Sequence, residues 1–181
     1  TNKFIKSTNL YKFQIFLEKK FLKKFSSYNK LWRWSNDNPE NFWETIVEYF
    51  NIYLEKKKSF KAYNKKNYFW NSTFFHNCNL NYYDLIYKNN SSDTAIEFIG
   101  ENKYKEIITY GDLNKRVNAL SNFFQGLGIK KGDVVVGYLP NIPDTIISFL
   151  SAAKIGAVWS SCSADFGTQA VIDRFSQLKP K

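Results

Sequence analysis

Residues 133–178 alternate short β-branched runs with longer stretches of helical periodicity, and this rhythm constrains the fold more than any other feature. DVVVGYL is a continuous apolar run, the pattern of a strand buried on both faces. PNIPDTIISFLSAAKIG follows it. Asn141 and Pro143 mark a helix start there, and Ile142, Ile146, Phe149, Leu150 and Ala153 form the expected buried stripe. GAVWSSC reads as the next strand and TQAVIDRFSQL as the next helix, with Ala170, Val171, Arg174, Phe175 and Leu178 at helical spacing. Upstream, AIEFIG and YKEIIT read as two strands joined by a short turn near Gly100–Lys103. Thr109 and Asp112 then form a capping-box start for a helix that buries Leu113, Val117, Leu120, Phe124 and Leu127. Gly128 suits the left-handed cap at its end. Strand and helix alternating in this way predict an α/β fold with a parallel sheet and right-handed crossovers.

The first half has a different texture. Leu10, Phe13, Leu17, Phe21, Phe25 and Tyr28 share one helical face, which predicts an amphipathic helix over residues 8–28. A second helix is expected from NPENFW, with Asn38 as its cap, Pro39 in its first turn and Phe42, Trp43, Ile46, Val47 and Phe50 buried. EKKKSFKAYNKKN, residues 55–67, shows no clean period and reads as loop or edge. In LNYYDL, Asn81 is a helix cap, with Leu80 and Leu85 placed to clasp across it. A mainly helical region over residues 1–92 is therefore expected ahead of the α/β region that begins at 93.

Charge follows the same division. The first 90 residues hold 16 Lys and Arg against 7 Asp and Glu, and the remainder hold 10 against 9. With 34 aromatic side chains in the chain, a basic single-strand-binding module is the rival reading. It is set aside because the aromatics fall on stripes that a core would bury, and because charge is balanced where the fold signal is strongest. No run approaches the ~18 apolar residues of a membrane span, so no membrane partner is expected. Cys78 and Cys162 make no disulfide framework and suggest a reducing, cytoplasmic setting. The 181 residues include no methionine and run to LKPK directly after a helical pattern, so they are read as part of a longer protein.

Chemistry is sparse. Ser160, Ser161, Cys162 and Ser163 are four nucleophile types in a row, but the chain holds one histidine, His76, to serve as a base, and a Gly-x-Ser-x-Gly elbow is absent. His76 and Cys78 fall short of a structural zinc set. Neither Gly-x-x-x-x-Gly-Lys-Ser/Thr nor Gly-x-Gly-x-x-Gly after a strand is present. No catalytic residue and no metal ligand are expected in this segment. Two readings of GAVWSSCSADFG stay open. In one, small residues at the C-terminal end of a parallel strand line a ligand passage, where open α/β sheets collect ligands. In the other, they form a buried strand end whose hydroxyls are satisfied by neighbouring backbone.

The stretch from ITYGDLNKRVNAL to WSSCSADFG resembles the first conserved region of the acyl-adenylate-forming ligases, the superfamily of acyl-CoA synthetases. Within it, LWRWSNDNPENFW, FFHNCNLNYYDLI and WSSCSADFG followed by VIDRFSQLKPK are similar to the branch that activates acetoacetate. That branch usually has proline where this chain has Ala164. Related acetyl- and propionyl-CoA synthetases read His-Ser-Val-x-Phe-Gly-Gly-Phe at the aligned place. The resemblance implies the start, from 93 to 181, of a parallel-sheet adenylate-forming domain, truncated here behind a helical N-terminal cap. It implies a cytoplasmic ligase that uses acetoacetate, ATP with Mg2+, and coenzyme A, none of them held tightly by this segment alone. Alignment with the acetyl-CoA synthetases puts Ser163, Ala164 and Asp165 where a glycine pair lines the pantetheine channel. The phosphate loop, nucleotide motifs and C-terminal lysine of the family are expected beyond Lys181.

Overall fold

The computed structural model describes residues 2–87 and 89–181. The chain forms two compact units, Thr1–Leu80 and Asn81–Lys181.

The first unit opens with α1 (Asn2–Ser7), α2 (Asn9–Phe21), α3 (Tyr28–Asp37) and α4 (Pro39–Tyr49). Its core is aromatic: Phe13, Leu17, Phe25, Leu31 and Trp34 are buried, with Phe21, Phe42, Ile46 and Tyr49 packed against them. Phe13 meets Tyr49 edge-on at 5.1 Å, and Phe21 and Phe25 flank Trp34 at 5.0 and 5.5 Å, geometries the ring quadrupoles favour.

The helix expected over 8–28 covers residues 9–21; a non-helical turn follows, and Tyr28 opens α3. Leu22 adopts the left-handed conformation at φ 50° and ends α2. The Glu18 carboxylate then accepts hydrogen bonds from the Phe25 backbone N–H and from Gln14 Nε2, both at 2.8 Å, which holds Phe25 folded back into the core. Those bonds, the backbone one first, hold the Glu18 carboxyl below its ordinary range. Phe13, Leu17 and Phe25 of the expected stripe are buried and Leu10 and Tyr28 are exposed; the break was not legible, because Leu22 carries no turn signature.

Asn38 stands at the N-cap of α4 as expected, but its side chain makes no cap bond there; its Nδ2 donates to Trp34 O at 3.1 Å and closes α3, while Pro39 sits in the first turn of α4 as read. Thr45 is the fully buried residue of α4, its hydroxyl donating to Asn41 O at 2.6 Å, and Phe50 is exposed.

Residues 55–79 form an antiparallel hairpin of β1 (Glu55–Asn64) and β2 (Thr73–Asn79), so the N-terminal region is not purely helical. The register shifts between Lys56 and Lys61, with Ser59, Phe75 and Asn77 at positive φ. This bulge breaks the period-two alternation that marks a strand, and so the segment read as loop or edge. Trp43 of α4 packs edge-on against Phe74 at 5.5 Å, joining hairpin to helices. Leu80 is exposed.

The second unit begins with α5 (Tyr82–Tyr87). Asn81 caps it as expected: Oδ1 accepts from Tyr83 N at 3.0 Å, while Nδ2 donates to Ala153 O at 2.8 Å. Next come β3 (Thr94–Ile99) and β4 (Lys105–Thr109), which pair antiparallel, then α6 (Tyr110–Gly126). The Thr109 hydroxyl accepts from Asp112 N at 3.1 Å and donates to its carboxylate at 2.9 Å. Gly128, at φ 78°, closes α6 as a Schellman cap, with its N–H on Gln125 O and Ile129 N–H on Phe124 O.

The alternating region yields β5 (Val134–Tyr138), α7 (Pro143–Lys154), β6 (Val158–Cys162) and α8 (Thr168–Leu178). β5 and β6 pair in parallel, Val134 opposite Val158 through Tyr138 opposite Cys162, as the rhythm predicts. Among the described residues the strands form three separate pairs, β1–β2 and β3–β4 antiparallel and β5–β6 parallel. Val134–Val136 are half-buried, not covered on both faces.

The core of this unit gathers Tyr83, Ile108, Leu113, Val117, Ile147 and Leu150. The buried stripe of α7 is rotated from the expected one: Pro143, Ile147, Leu150, Ser151 and Ala152 are inside, and Ile146 is exposed. The cause is polar. Ser151 Oγ donates to Ile147 O at 2.6 Å and lies 3.2 Å from Val117 O, while Ser121 Oγ donates to Val117 O at 2.7 Å and lies 3.3 Å from Ser151 O. Two small side chains satisfied by backbone let α6 and α7 approach closely. A stripe drawn from apolar residues alone misses both.

Within the parallel pair, the Trp159 ring packs against Gly137. A Cβ at 137 would sit 2.5 Å from Trp159 Cη2 and 2.8 Å from Cζ2, closer than side chains tolerate. Gly137→Ala is therefore expected to destabilise the chain by about 1–3 kcal/mol through overpacking, read from the urea midpoint. An unchanged midpoint would contradict this packing.

Candidate functional site

The C-terminal ends of β5 and β6 lie side by side, and the chain leaves β6 through Ser163–Gly167 into α8. Ser160 and Ser161 sit opposite Val136 and Gly137 in the ladder, and Cys162 is buried with its carbonyl accepting from Leu139 N at 3.2 Å. The four hydroxyl and thiol residues thus divide between ladder and loop. His76 is exposed on β2, opposite Lys61, in the first unit. Among the described residues, no three His, Cys, Asp or Glu side chains converge as metal ligands would.

Ser163, Ala164 and Asp165 are all exposed. Phe166 N donates to Ser163 O at 3.2 Å, closing a tight turn around Ala164 and Asp165. The Tyr138 hydroxyl, at the end of β5, lies 2.8 Å from both Ala164 O and Phe166 O. On the far side of the turn, the Arg174 guanidinium of α8 sits 4.4 Å over the Phe166 ring. Gly167 stands at the N-cap of α8 with no side-chain cap bond. The Ser163 hydroxyl, and then the residue's own backbone N–H, hold the Asp165 carboxyl below its ordinary range. The loop offers backbone carbonyls, a hydroxyl and a carboxylate held by that hydroxyl.

Tyr138 is the residue that reading from sequence missed. The signal was a tyrosine closing a strand: its hydroxyl needs a partner, and a strand end offers loop carbonyls.

Residues 87–181 match the family described as AMP-binding enzyme. The chain belongs to that family. AMP-binding enzymes similar to it include the acetoacetyl-coenzyme A synthetase of Rhizobium meliloti (strain 1021), 34% identical over 162 residues. That match covers 90% of this chain and 25% of the relative. The Danio rerio acetoacetyl-CoA synthetase is 33% identical over 178 residues, covering 97% of this chain and 26% of the relative. The solved acetoacetyl-CoA synthetase from Streptomyces lividans superposes with a TM-score of 0.83 at 28% identity, over 97% of this chain and 28% of that one. The chain thus spans about a quarter of the length of the curated relatives it matches.

Because the Asp165 carboxylate is stabilised chiefly by the Ser163 hydroxyl, Ser163→Ala should move its titration upward, toward the ordinary aspartate range. Carboxyl-carbon NMR across an acid titration reads this. A midpoint unchanged by the substitution would remove the hydroxyl from the account.

Proposed function

We propose that these 181 residues are the N-terminal part of a cytoplasmic acetoacetate–CoA ligase. In this reading residues 1–92 form the N-terminal region and residues 93–181 begin the parallel-sheet adenylate-forming domain. The reaction joins acetoacetate and ATP into an acyl-adenylate with release of pyrophosphate. The thiol sulfur of coenzyme A then attacks the acyl carbon, and the bond from that carbon to the AMP oxygen breaks. AMP leaves with the electron pair, and the thiol proton passes to solvent. The physical need is plain: a carboxylate is a poor electrophile, and esterification to AMP cancels its charge and gives it a good leaving group.

One observation carries the narrower reading. The likeness to proteins named acetoacetyl-CoA synthetase runs through the first unit as well as the AMP-binding region, over 97% of the chain in the Streptomyces lividans structure. Two free cysteines and the absence, among the described residues, of any helix long and apolar enough to cross a membrane accord with a cytoplasmic setting. The partners are small molecules: acetoacetate, ATP and coenzyme A. Magnesium accompanies ATP in this class as the counter-charge for the phosphates. Its ligands are assigned to residues outside this segment. Ser163, Ala164 and Asp165 are assigned to the lining along which coenzyme A enters.

The test is pyrophosphate exchange into ATP by the full-length enzyme. Acetoacetate should support exchange with a kcat/KM about tenfold or more above that for acetate. The isolated 181 residues should support none. Acetate equalling acetoacetate would replace the reading with a general short-chain synthetase, and exchange by the isolated segment would overturn the assignment of the machinery elsewhere.

A further inference from the structure

Tyr138 ends β5 opposite Cys162, which ends β6. Past Cys162 the chain has no ladder partner, and five exposed residues carry it to α8. One backbone bond, Phe166 N to Ser163 O, closes their turn. A loop so lightly bonded samples many conformations unless something outside it fixes its peptide planes.

The Tyr138 hydroxyl does so. It has one proton to donate and stands 2.8 Å from two carbonyls, Ala164 O and Phe166 O, which lie on either side of Asp165. Sharing the proton between them orients both peptide planes, and with them the segment from Ser163 to Asp165. Arg174, over the Phe166 ring, holds the far end of the loop to α8. Strand β5 and helix α8 thereby both hold the turn. Tyr138 is itself 47% exposed, and its ring is not among the buried core residues. Removing the hydroxyl therefore frees the loop while leaving the ring in place.

We propose that Tyr138 is a positioning residue for thiol transfer, its hydroxyl holding the turn at Ala164–Phe166 in the shape that guides the coenzyme A thiol to the acyl-adenylate. This rests on the acyl-CoA synthetase reading above. In the step concerned, the carbon–sulfur bond forms as the bond from the acyl carbon to the AMP oxygen breaks. AMP takes the electron pair, and the thiol proton goes to solvent. Tyr138 touches none of these atoms. It acts only through the loop, so adenylation, which precedes thiol entry, does not depend on it.

The experiment compares full-length wild-type enzyme with Tyr138→Phe. In the variant, KM for coenzyme A should rise about fivefold, the worth of one ordinary hydrogen bond, while acetoacetate-dependent pyrophosphate exchange stays within about twofold of wild type. In parallel, amide hydrogen exchange in the peptide covering 163–167 should speed up about fivefold, with β5 and β6 unchanged. Unchanged exchange at 163–167 would overturn the clamp. Faster exchange with an unchanged KM for coenzyme A would overturn its role in thiol transfer. Equal losses in both half-reactions would reduce Tyr138 to general support and overturn the proposal. If wild-type enzyme shows no coenzyme A-dependent turnover, the function reading falls, and the clamp is decided by hydrogen exchange alone.

Discussion

The close approach of α6 and α7 is the constraint on which the second unit depends. Ser121 and Ser151 are buried between the helices with their hydroxyls on backbone carbonyls, and Val117 O takes part in both bonds. A bulkier side chain at either position would push the helices apart. Because α7 is the crossover from β5 to β6, its seat on α6 sets where the second strand returns. Trp159 lying on Gly137 then fits the strands to each other, and the two strand ends finish level at Tyr138 and Cys162.

Several polar groups of this unit hold the fold together. Tyr83 is buried, which pushes its phenol upward, and its neighbour Lys154 engages Asn118 and lies 5.3 Å over the Tyr83 ring. Asp133 is held low by the Lys130 backbone N–H and then by Lys181. Lys181 N donates to Val134 O at 3.0 Å, on the edge of β5 turned away from β6. What faces outward at the strand ends is a short loop of small residues, fastened at two carbonyls and one ring.

The sequence was legible where backbone demands coincide with side-chain type. Thr109, Asn81 and Gly128 were read as caps because their chemistry allows few other uses, and β5 and β6 because parallel strands compress into apolar runs. It was opaque where polar residues do apolar work or where geometry breaks the period. Ser121 and Ser151 rotate the α7 stripe away from Ile146. Leu22 ends α2 in a conformation leucine rarely adopts, and the bulge near Ser59 hides β1 inside a lysine-rich run. At the site, the loop was found through its small residues and its place after a strand. Tyr138 was not, since a tyrosine closing a strand does not by itself say which carbonyls, 26 and 28 residues on, its hydroxyl meets.

The most direct test is whether the turn at residue 164 borders the coenzyme A path in the full-length enzyme. Oxidised coenzyme A, a disulfide, reacts with a cysteine thiolate to give a protein–coenzyme A mixed disulfide and release one coenzyme A thiolate. Peptide mass spectrometry should show the A164C enzyme labelled at that position with a rate that saturates and is suppressed by desulfo-coenzyme A, which lacks the thiol that would reverse the label. The Q177C enzyme, altered on an exposed turn of α8, should label linearly without suppression. Labelling at 164 that is linear and unsuppressed, as at 177, would contradict the account.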